Sequence, residues 1–314
     1  MNETIPVVDA DGVGVDPVAT RRVAAALGEA CRGTGFFLVV NHGIAPGRRD
    51  GLFAAARAFF ALPHASKDAA SIWRSPHNRG YVGLAEEQLD PTRPADHKEA
   101  FNIGLELAPD DPELAAGVPF RGINLWPEAP GFRDATLAWF AACHDLGMRL
   151  HRAFALDLGQ EEAFFADKLD RPIATLRLLR YPTGGDPGVL GAGEHTDYGN
   201  LTILATDGTP GLEVRRRDGG WVEVPDVPGA LVCNIGDCLM RWSNGTYAST
   251  PHRVRNPARE RYSAAFFLDP NPDAVVAALP GTTGPDRPAG WPPVTGAAYL
   301  RERLDATYAH RATA

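Results

Sequence analysis

Lysine is almost missing from this chain: Lys67, Lys98 and Lys168 are the only three in 314 residues. With the net charge at −8, that scarcity excludes the clustered basic surface by which proteins hold nucleic acid. Arginine stands in for lysine and alanine is abundant, a bias of coding composition rather than a functional signal. Cysteine is also scarce. Cys31, Cys143, Cys233 and Cys238 form no CxxC pair and no disulfide-framework spacing, so reduced thiols are expected. No 18-residue apolar run occurs, and no apolar stretch follows a basic N-terminal region. A soluble, cytoplasmic protein with no membrane partner is the expectation. There is no internal repeat. What remains is ordinary globular composition, 44% hydrophobic and 22% charged, long enough for one large domain or two intimate ones.

The chain changes character near Pro172. Before it, Ile5 to Asp9 reads as a short strand, and Asp16-Pro17 as the N-cap and first turn of a helix. Phe36 to Val40 reads as a buried strand, Gly47 to Ala61 as a second helix and Asp134 to Leu158 as a long one. In the last, Leu137, Phe140, His144, Met148 and His151 recur at helical spacing, so Cys143-His144 is a helix face rather than a nucleophile pair. Residues 75–111 are Pro- and Gly-rich and read as one long loop, with Asp90-Pro91-Thr92-Arg93-Pro94 in its middle. After Pro172 come eight short β-prone runs: Leu176 to Tyr181, Leu201 to Thr206, Leu212 to Arg216, Trp221 to Val224, Ala230 to Ile235, Leu239 to Trp242, His252 to Val254 and Tyr262 to Leu268. Asp218-Gly219-Gly220, Gly236-Asp237 and Asn244-Gly245 supply turns, the last of type I′. The pattern predicts a sandwich or jelly roll, then a last helix over Ala297 to Ala309.

Chemistry concentrates in His195-Thr196-Asp197. One residue between two ligands puts both on the same face of an extended strand. His252 follows 55 residues after Asp197, and two imidazoles with one carboxylate make the facial triad of non-haem Fe(II) oxygenases. Nine histidines and 24 aspartates give about 0.7 such His-x-Asp pairs by chance, so the pair alone carries little. Context separates it from a second pair, His97-x-Glu99. The first lies where a strand emerges from a loop that runs through Thr183-Gly184-Gly185-Asp186-Pro187-Gly188 and on through Gly191 and Gly193. The second lies in a Pro-containing stretch without a third ligand and reads as a substrate-loop or surface element. Period two also sets Arg261 beside Ser263, a clamp for a carboxylate, since guanidinium forms bidentate charge-assisted hydrogen bonds.

In these residues the chain resembles the Fe(II)- and 2-oxoglutarate-dependent oxygenases of the isopenicillin N synthase-like group. The likeness runs through Gly35-Phe36-Phe37, Asn41-His42-Gly43, Arg79-Gly80-Tyr81, Lys98-Glu99-Ala100-Phe101, His195-Thr196-Asp197-Tyr198-Gly199, Asn234-Ile235-Gly236-Asp237, Arg241 to Gly245, Ser249 to Val254 and Arg261-Tyr262-Ser263. It implies a mixed α/β fold, mainly β: a double-stranded β-helix (jelly roll) flanked by helices. Its parts would be an N-terminal region, 1–120, and a jelly-roll region, 121–314, packed as one unit. It implies Fe(II) on His195, Asp197 and His252. It also implies 2-oxoglutarate held by Arg261, Ser263 and Tyr181, with O2 completing the open face. Many relatives carry Asn two residues before that tyrosine; here Leu179 stands there. Decarboxylation of the oxoacid to succinate and CO2 would drive hydroxylation, desaturation or cyclisation of a small molecule, as in secondary metabolism.

By position in relatives, Arg79, Tyr81, Glu86, Glu87, Arg177, Tyr198 and Phe267 are substrate candidates. The two arginines suit a small acidic substrate, amino-acid-like or a natural-product precursor. Competing readings are an oxidase of isopenicillin N synthase type that needs no 2-oxoglutarate, an ethylene-forming enzyme, a metal-binding ligand sensor without turnover, and a zinc hydrolase.

Overall fold

The structure is a computed structural model that describes residues 4–89, 94–184 and 188–308. The loops expected at Asp90-Pro91-Thr92-Arg93 and Gly185-Asp186-Pro187, and the helix end at Ala309, fall outside these residues. In chain order the elements are β1 (Val7–Asp9), α1 (Pro17–Gly33), β2 (Phe36–Val40), α2 (Pro46–Phe60), α3 (His64–Asp68), β3 (Gly80–Val82), β4 (Glu99–Gly104), α4 (Pro112–Ala115) and α5 (Phe132–Asp157). Then come β5 (Thr175–Tyr181), β6 (Leu190–His195), β7 (Leu201–Thr206), β8 (Leu212–Arg215), β9 (Trp221–Glu223), β10 (Leu231–Ile235), α6 (Asp237–Trp242), β11 (His252–Arg255), β12 (Arg261–Leu268), β13 (Val275–Val276), β14 (Val294–Thr295) and α7 (Gly296–Tyr308).

Eight strands form the large sheet in the order β1-β2-β10-β7-β12-β5-β4-β3, and four form a smaller one, β6-β11-β8-β9. Except for β1 with β2, the paired strands run antiparallel. Mixed α/β with a jelly-roll core is thus the fold. Period-two alternation divides the large sheet cleanly. Tyr262, Ala264, Phe266 and Leu268 of β12, Leu201, Ile203 and Ala205 of β7, and Leu231, Cys233 and Ile235 of β10 all belong to the main core. That core takes its helical half from α5, whose Trp139, Phe140, Cys143, Leu146 and Phe154 are buried, with Phe140 meeting Phe266 edge-on at 5.0 Å. Burying each such side chain contributes roughly 2 kcal/mol. The opposite residues of the same strands, Arg261, Ser263, Ala265 and Phe267 on β12, face the cavity between the sheets.

Local signals explain several boundaries. Asp16 caps α1, its Oδ1 accepting from the amides of Val18 and Ala19 at 2.7 and 2.8 Å. Asn244 and Gly245 both take positive φ, 50° and 72°, as the expected type I′ geometry needs. The four cysteines are free and buried. No helix among the described residues is long and apolar enough to cross a membrane.

Three expectations need correcting. Leu239 to Trp242 is not a strand but the end of α6. Its first amides are satisfied by a distant loop, Asp237 N–H donating to Asp197 O (2.8 Å) and Cys238 N–H to Gly199 O (2.9 Å). The segment before His195 is not loop but β6, hidden because Gly191 and Gly193 look like breakers. Gly191 is required there because a Cβ would come within 2.8 Å of the Tyr181 ring. Residues 75–111 are not one loop, since β3 and β4 pair within them, and the second His-x-carboxylate pair is no surface element. Glu99 is buried on β4, accepting from Lys67 Nζ, Tyr81 Oη and Arg180 Nη1.

Candidate metal centre and cavity

His195 and His252 meet because β6 and β11 pair antiparallel with these two residues directly opposite, which puts both imidazoles on one face. Their ring centroids are 4.3 Å apart. Asp197 joins them by another route than the expected one: β6 ends at His195, so strand alternation does not place it. It is placed by hydrogen bonds instead, its Oδ2 accepting from Thr202 Oγ1 on β7 (2.5 Å) and Asn234 Nδ2 on β10 (2.8 Å). Its other oxygen, Oδ1, lies 3.8 Å from His195 Nε2 and 3.7 Å from His252 Nε2.

The electrostatics prepare this cluster for a cation. Burial, and then the second imidazole, push the His195 pKa down to about 4, so the ring is neutral at neutral pH. Its Nδ1 sits 2.8 Å from Gly193 O and that of His252 is 3.2 Å from Thr250 O. A proton held on each Nδ1 leaves each Nε2 lone pair facing Asp197. Burial acts to raise the Asp197 pKa, but the two imidazoles and the two hydrogen bonds outweigh it and hold the carboxyl below its ordinary value. The ligand atoms of His195, Asp197 and His252 lie within 4.8 Å of one another. Two bonds of about 2.1 Å can span the 3.7 and 3.8 Å separations, so two ring nitrogens and one carboxylate fit a single divalent ion.

The triad opens into a cavity of about 200 Å³, a size for small molecules. Arg261 and Ser263 line it from β12, with Arg261 Nη1 donating to Ser263 Oγ at 3.2 Å and the guanidinium 4.9 Å from the centroid of the Tyr181 ring. Tyr181 and Arg261 are register partners across β5 and β12. Arg261 is 1% exposed, yet among the described residues no carboxylate pairs with it; its remaining hydrogen bond goes to Thr209 O. A buried cation without a counter-ion calls for an anion.

The substrate candidates separate. Arg79, Glu87, Arg177, Tyr198 and Phe267 line the cavity. Tyr81 and Glu86 do not. Tyr81 is 2% exposed in the aromatic cluster around Phe59 and donates to Glu99, while Glu86 accepts from Trp73 Nε1 and the Gly83 amide outside the cavity. Arg177 is ion-paired with Glu87, which also lies 3.7 Å from Lys98. Sequence reasoning missed Thr202, Phe36, Asn102 and Asp269. Thr202 and Asn102 are visible only through pairing register, and Phe36 meets the His252 ring edge-on at 5.2 Å. Burial and the Asp197 charge push Asp269 up to about 8, so it meets the cavity as a neutral acid.

Comparison with known proteins agrees with this geometry. Residues 5–129 match the family model described as non-haem dioxygenase in morphine synthesis N-terminal, and residues 172–270 match that of the 2OG-Fe(II) oxygenase superfamily. The chain is 34% identical to a 2-oxoglutarate-Fe(II) type oxidoreductase of Emericella nidulans, over 94% of this chain and 87% of that protein. It superposes on a full-length Neurospora crassa protein, solved in complex with alpha-KG and thymine, with a TM-score of 0.86 and 32% identity, covering 97% of each chain. A rice dioxygenase for auxin oxidation matches at TM-score 0.76 and 31% identity, over 96% of this chain and 95% of that one.

Proposed function

Because this chain belongs to the 2OG-Fe(II) oxygenase superfamily, we propose that His195, Asp197 and His252 hold its iron and that Arg261, Ser263 and Tyr181 receive its 2-oxoglutarate. The protein is a non-haem iron, 2-oxoglutarate-dependent dioxygenase that oxidises a small molecule with O2 as co-substrate. When bound, iron would activate O2, the oxidant, and 2-oxoglutarate would supply two of the four electrons that O2 takes, leaving as succinate and CO2, while the substrate would supply the other two. The observation that carries the residue assignment is the convergence of three ligand atoms within 4.8 Å in the same cavity as an uncompensated buried guanidinium.

Each side chain then has a physical task. Asp197 brings the one full negative charge to the cation, and Thr202 and Asn234 fix which of its oxygens remains free. Arg261 offers a planar fork to the distal carboxylate, while Ser263, already accepting from Arg261, has its own hydroxyl proton left to donate. Phe36, Leu204, Leu212 and Val254 give that end of the cavity apolar walls that exclude water. Phe267, Tyr198, Arg177 and Arg79 bound the space left for substrate. In this reading the region 1–120 supplies cavity walls, through Phe36, Arg79, Lys98 and Asn102, and the region 121–314 supplies every metal and co-substrate ligand.

We place the enzyme with the isopenicillin N synthase-like group, acting in the cytoplasm on an amino-acid-like or natural-product precursor in secondary metabolism. The thymine complex of the Neurospora relative supports a compact substrate. Succinate release from 2-oxoglutarate by the Fe(II)-loaded protein tests the assignment. His195→Ala should abolish it, and Arg261→Ala should raise the KM for 2-oxoglutarate about 100-fold with a smaller change in kcat. Turnover that persists in His195→Ala, or without 2-oxoglutarate, overturns it. Ethylene in the headspace would mark fragmentation of the co-substrate instead.

A further inference from the structure

Among the described residues, the cavity holds a second buried cation without a counter-ion, which the co-substrate does not use. Arg79 is 4% exposed, and its one hydrogen bond among the described residues is a long one, Nη2 donating to Phe120 O at 3.4 Å. Its Nε has no partner, and among the described residues no carboxylate pairs with it. Burial, and the neighbouring Arg121, lower its pKa to about 10, which still leaves it cationic at neutral pH. Arg121 is no substitute, being tied to Glu113 and to backbone carbonyls, and Arg177 is neutralised by Glu87. One acceptor nearby is also unmet: Asn102 Oδ1, buried without a partner and facing the cavity from β4.

Strand register fixes where this cation stands relative to the metal ligands. Phe36, Asn234, Thr202, Phe267, Thr175 and Gly104 are successive register partners across β2, β10, β7, β12, β5 and β4, so they form one row on the cavity face. Asp197 hangs from Asn234 and Thr202 at one end of the row. The Arg79 guanidinium lies flat on Gly104 at the other, where any Cβ would collide with it. Phe267 and Thr175 lie between them. From β7 to β4 are three inter-strand steps of about 4.8 Å, or about 14 Å along the sheet. The co-substrate clamp is off this row: Arg261 is six residues back along β12, about 20 Å from Phe267.

We propose that the substrate is a small organic carboxylate with an apolar, ring-sized body, that its acid group docks on Arg79, and that the carbon oxidised is at the end remote from the acid. The inference rests on the metal and co-substrate assignment above. Allowing about 4 Å at the metal end and about 4 Å from guanidinium to carboxylate carbon leaves about 6 Å between the acid carbon and the oxidised carbon. In an extended chain that is four or five bonds. The body of the molecule packs on Phe267, and a hydrogen-bond donor on it would satisfy Asn102. Oxidation next to the acid is excluded by the same span.

The test uses the Fe(II)·2-oxoglutarate enzyme with phenylacetic through 5-phenylpentanoic acids and their primary amides. Anaerobic calorimetry gives each Kd, succinate release gives each rate, and mass spectrometry with NMR locates the new oxygen or double bond. Acids should bind about 100-fold more tightly than amides. In each acid, product should form at a C–H four or five bonds from the carboxyl carbon, which lies on the ring of the three shorter acids and at the benzylic carbon of 5-phenylpentanoic acid. Arg79→Gln should erase the acid-over-amide preference and raise KM far more than it lowers kcat; Arg79→Lys, kept as a conservative control for folding, should restore part of it. Amides that match acids, an unchanged preference in Arg79→Gln, oxidation next to the acid, or no acid that binds or accelerates turnover would each overturn the proposal. Substrate-free succinate release tells the two readings apart: present and dependent on His195, it leaves the iron and co-substrate assignment standing while this one fails.

Discussion

His195-x-Asp197 and His97-x-Glu99 carry the same spacing, and each carboxylate is buried, yet the fold gives them opposite surroundings. Glu99 sits in β4 under Lys67, Arg180 and the Tyr81 hydroxyl, so its charge is consumed by the protein itself. Among the described residues Asp197 receives two neutral donors on Oδ2, and its Oδ1 faces two imidazole nitrogens. The difference teaches that a buried carboxylate is available to a cation when the structure leaves its charge uncompensated, not when its neighbours in sequence look right.

Removing each carboxylate should therefore break different things. Asp197→Ala should cost at least about 1000-fold in turnover together with iron retention, read by succinate release and metal analysis after gel filtration. Glu99→Gln should keep its iron but lose about 3 kcal/mol of stability, because Lys67 is left buried without its carboxylate while Arg180 keeps Glu260; urea unfolding measures this. If Glu99→Gln instead released iron at unchanged stability, the contrast would collapse.

A third histidine sharpens the comparison. His151, on α5, is held neutral without a carboxylate partner among the described residues: its Nδ1 contacts Gly147 O at 2.7 Å, Asn200 lies at Nε2, and burial lowers its pKa to about 4. Between pH 6.5 and 4 the unfolded chain binds this proton and the folded one does not, so stability falls as pH falls through that window. The loss should reach about 2 kcal/mol at pH 5 relative to neutral pH, and His151→Phe should flatten that part of the urea-midpoint profile. An unchanged profile would show that His151 is already charged in the fold. The smallest effect belongs to Thr202→Val, which deletes one hydrogen bond to Asp197 Oδ2. Iron affinity should drop about tenfold, measured by competition with a chelator, while Ser263→Ala, on the neighbouring strand, should leave it unchanged.

Much of the β core was legible, since its alternation is local: Leu201 to Thr206 matches β7 residue for residue, and Arg261 with Ser263 face one cavity as period two requires. The failures have physical causes of their own. The strand β6 was hidden by Gly191, which is there for the Tyr181 ring, and α6 was read as a strand because the carbonyls that receive its first amides come from residues 197–199. Tyr81 and Glu86 lie close to Arg79 in sequence but are turned away from the cavity by partners that composition cannot reveal.

By itself the sequence determined the donor set of two imidazoles and a carboxylate, the arginine-serine pair, and the alternation that sends one side of each strand to the core. Only the tertiary structure decided which of two equally spaced carboxylates is left without a paired lysine or arginine, that His195 meets His252 by cross-strand register, and that Arg79 rather than Arg177 is an uncompensated cation. The reason is that charge compensation and register belong to strands brought together in the order β10-β7-β12-β5-β4, an order in which neighbours in space are distant in the chain.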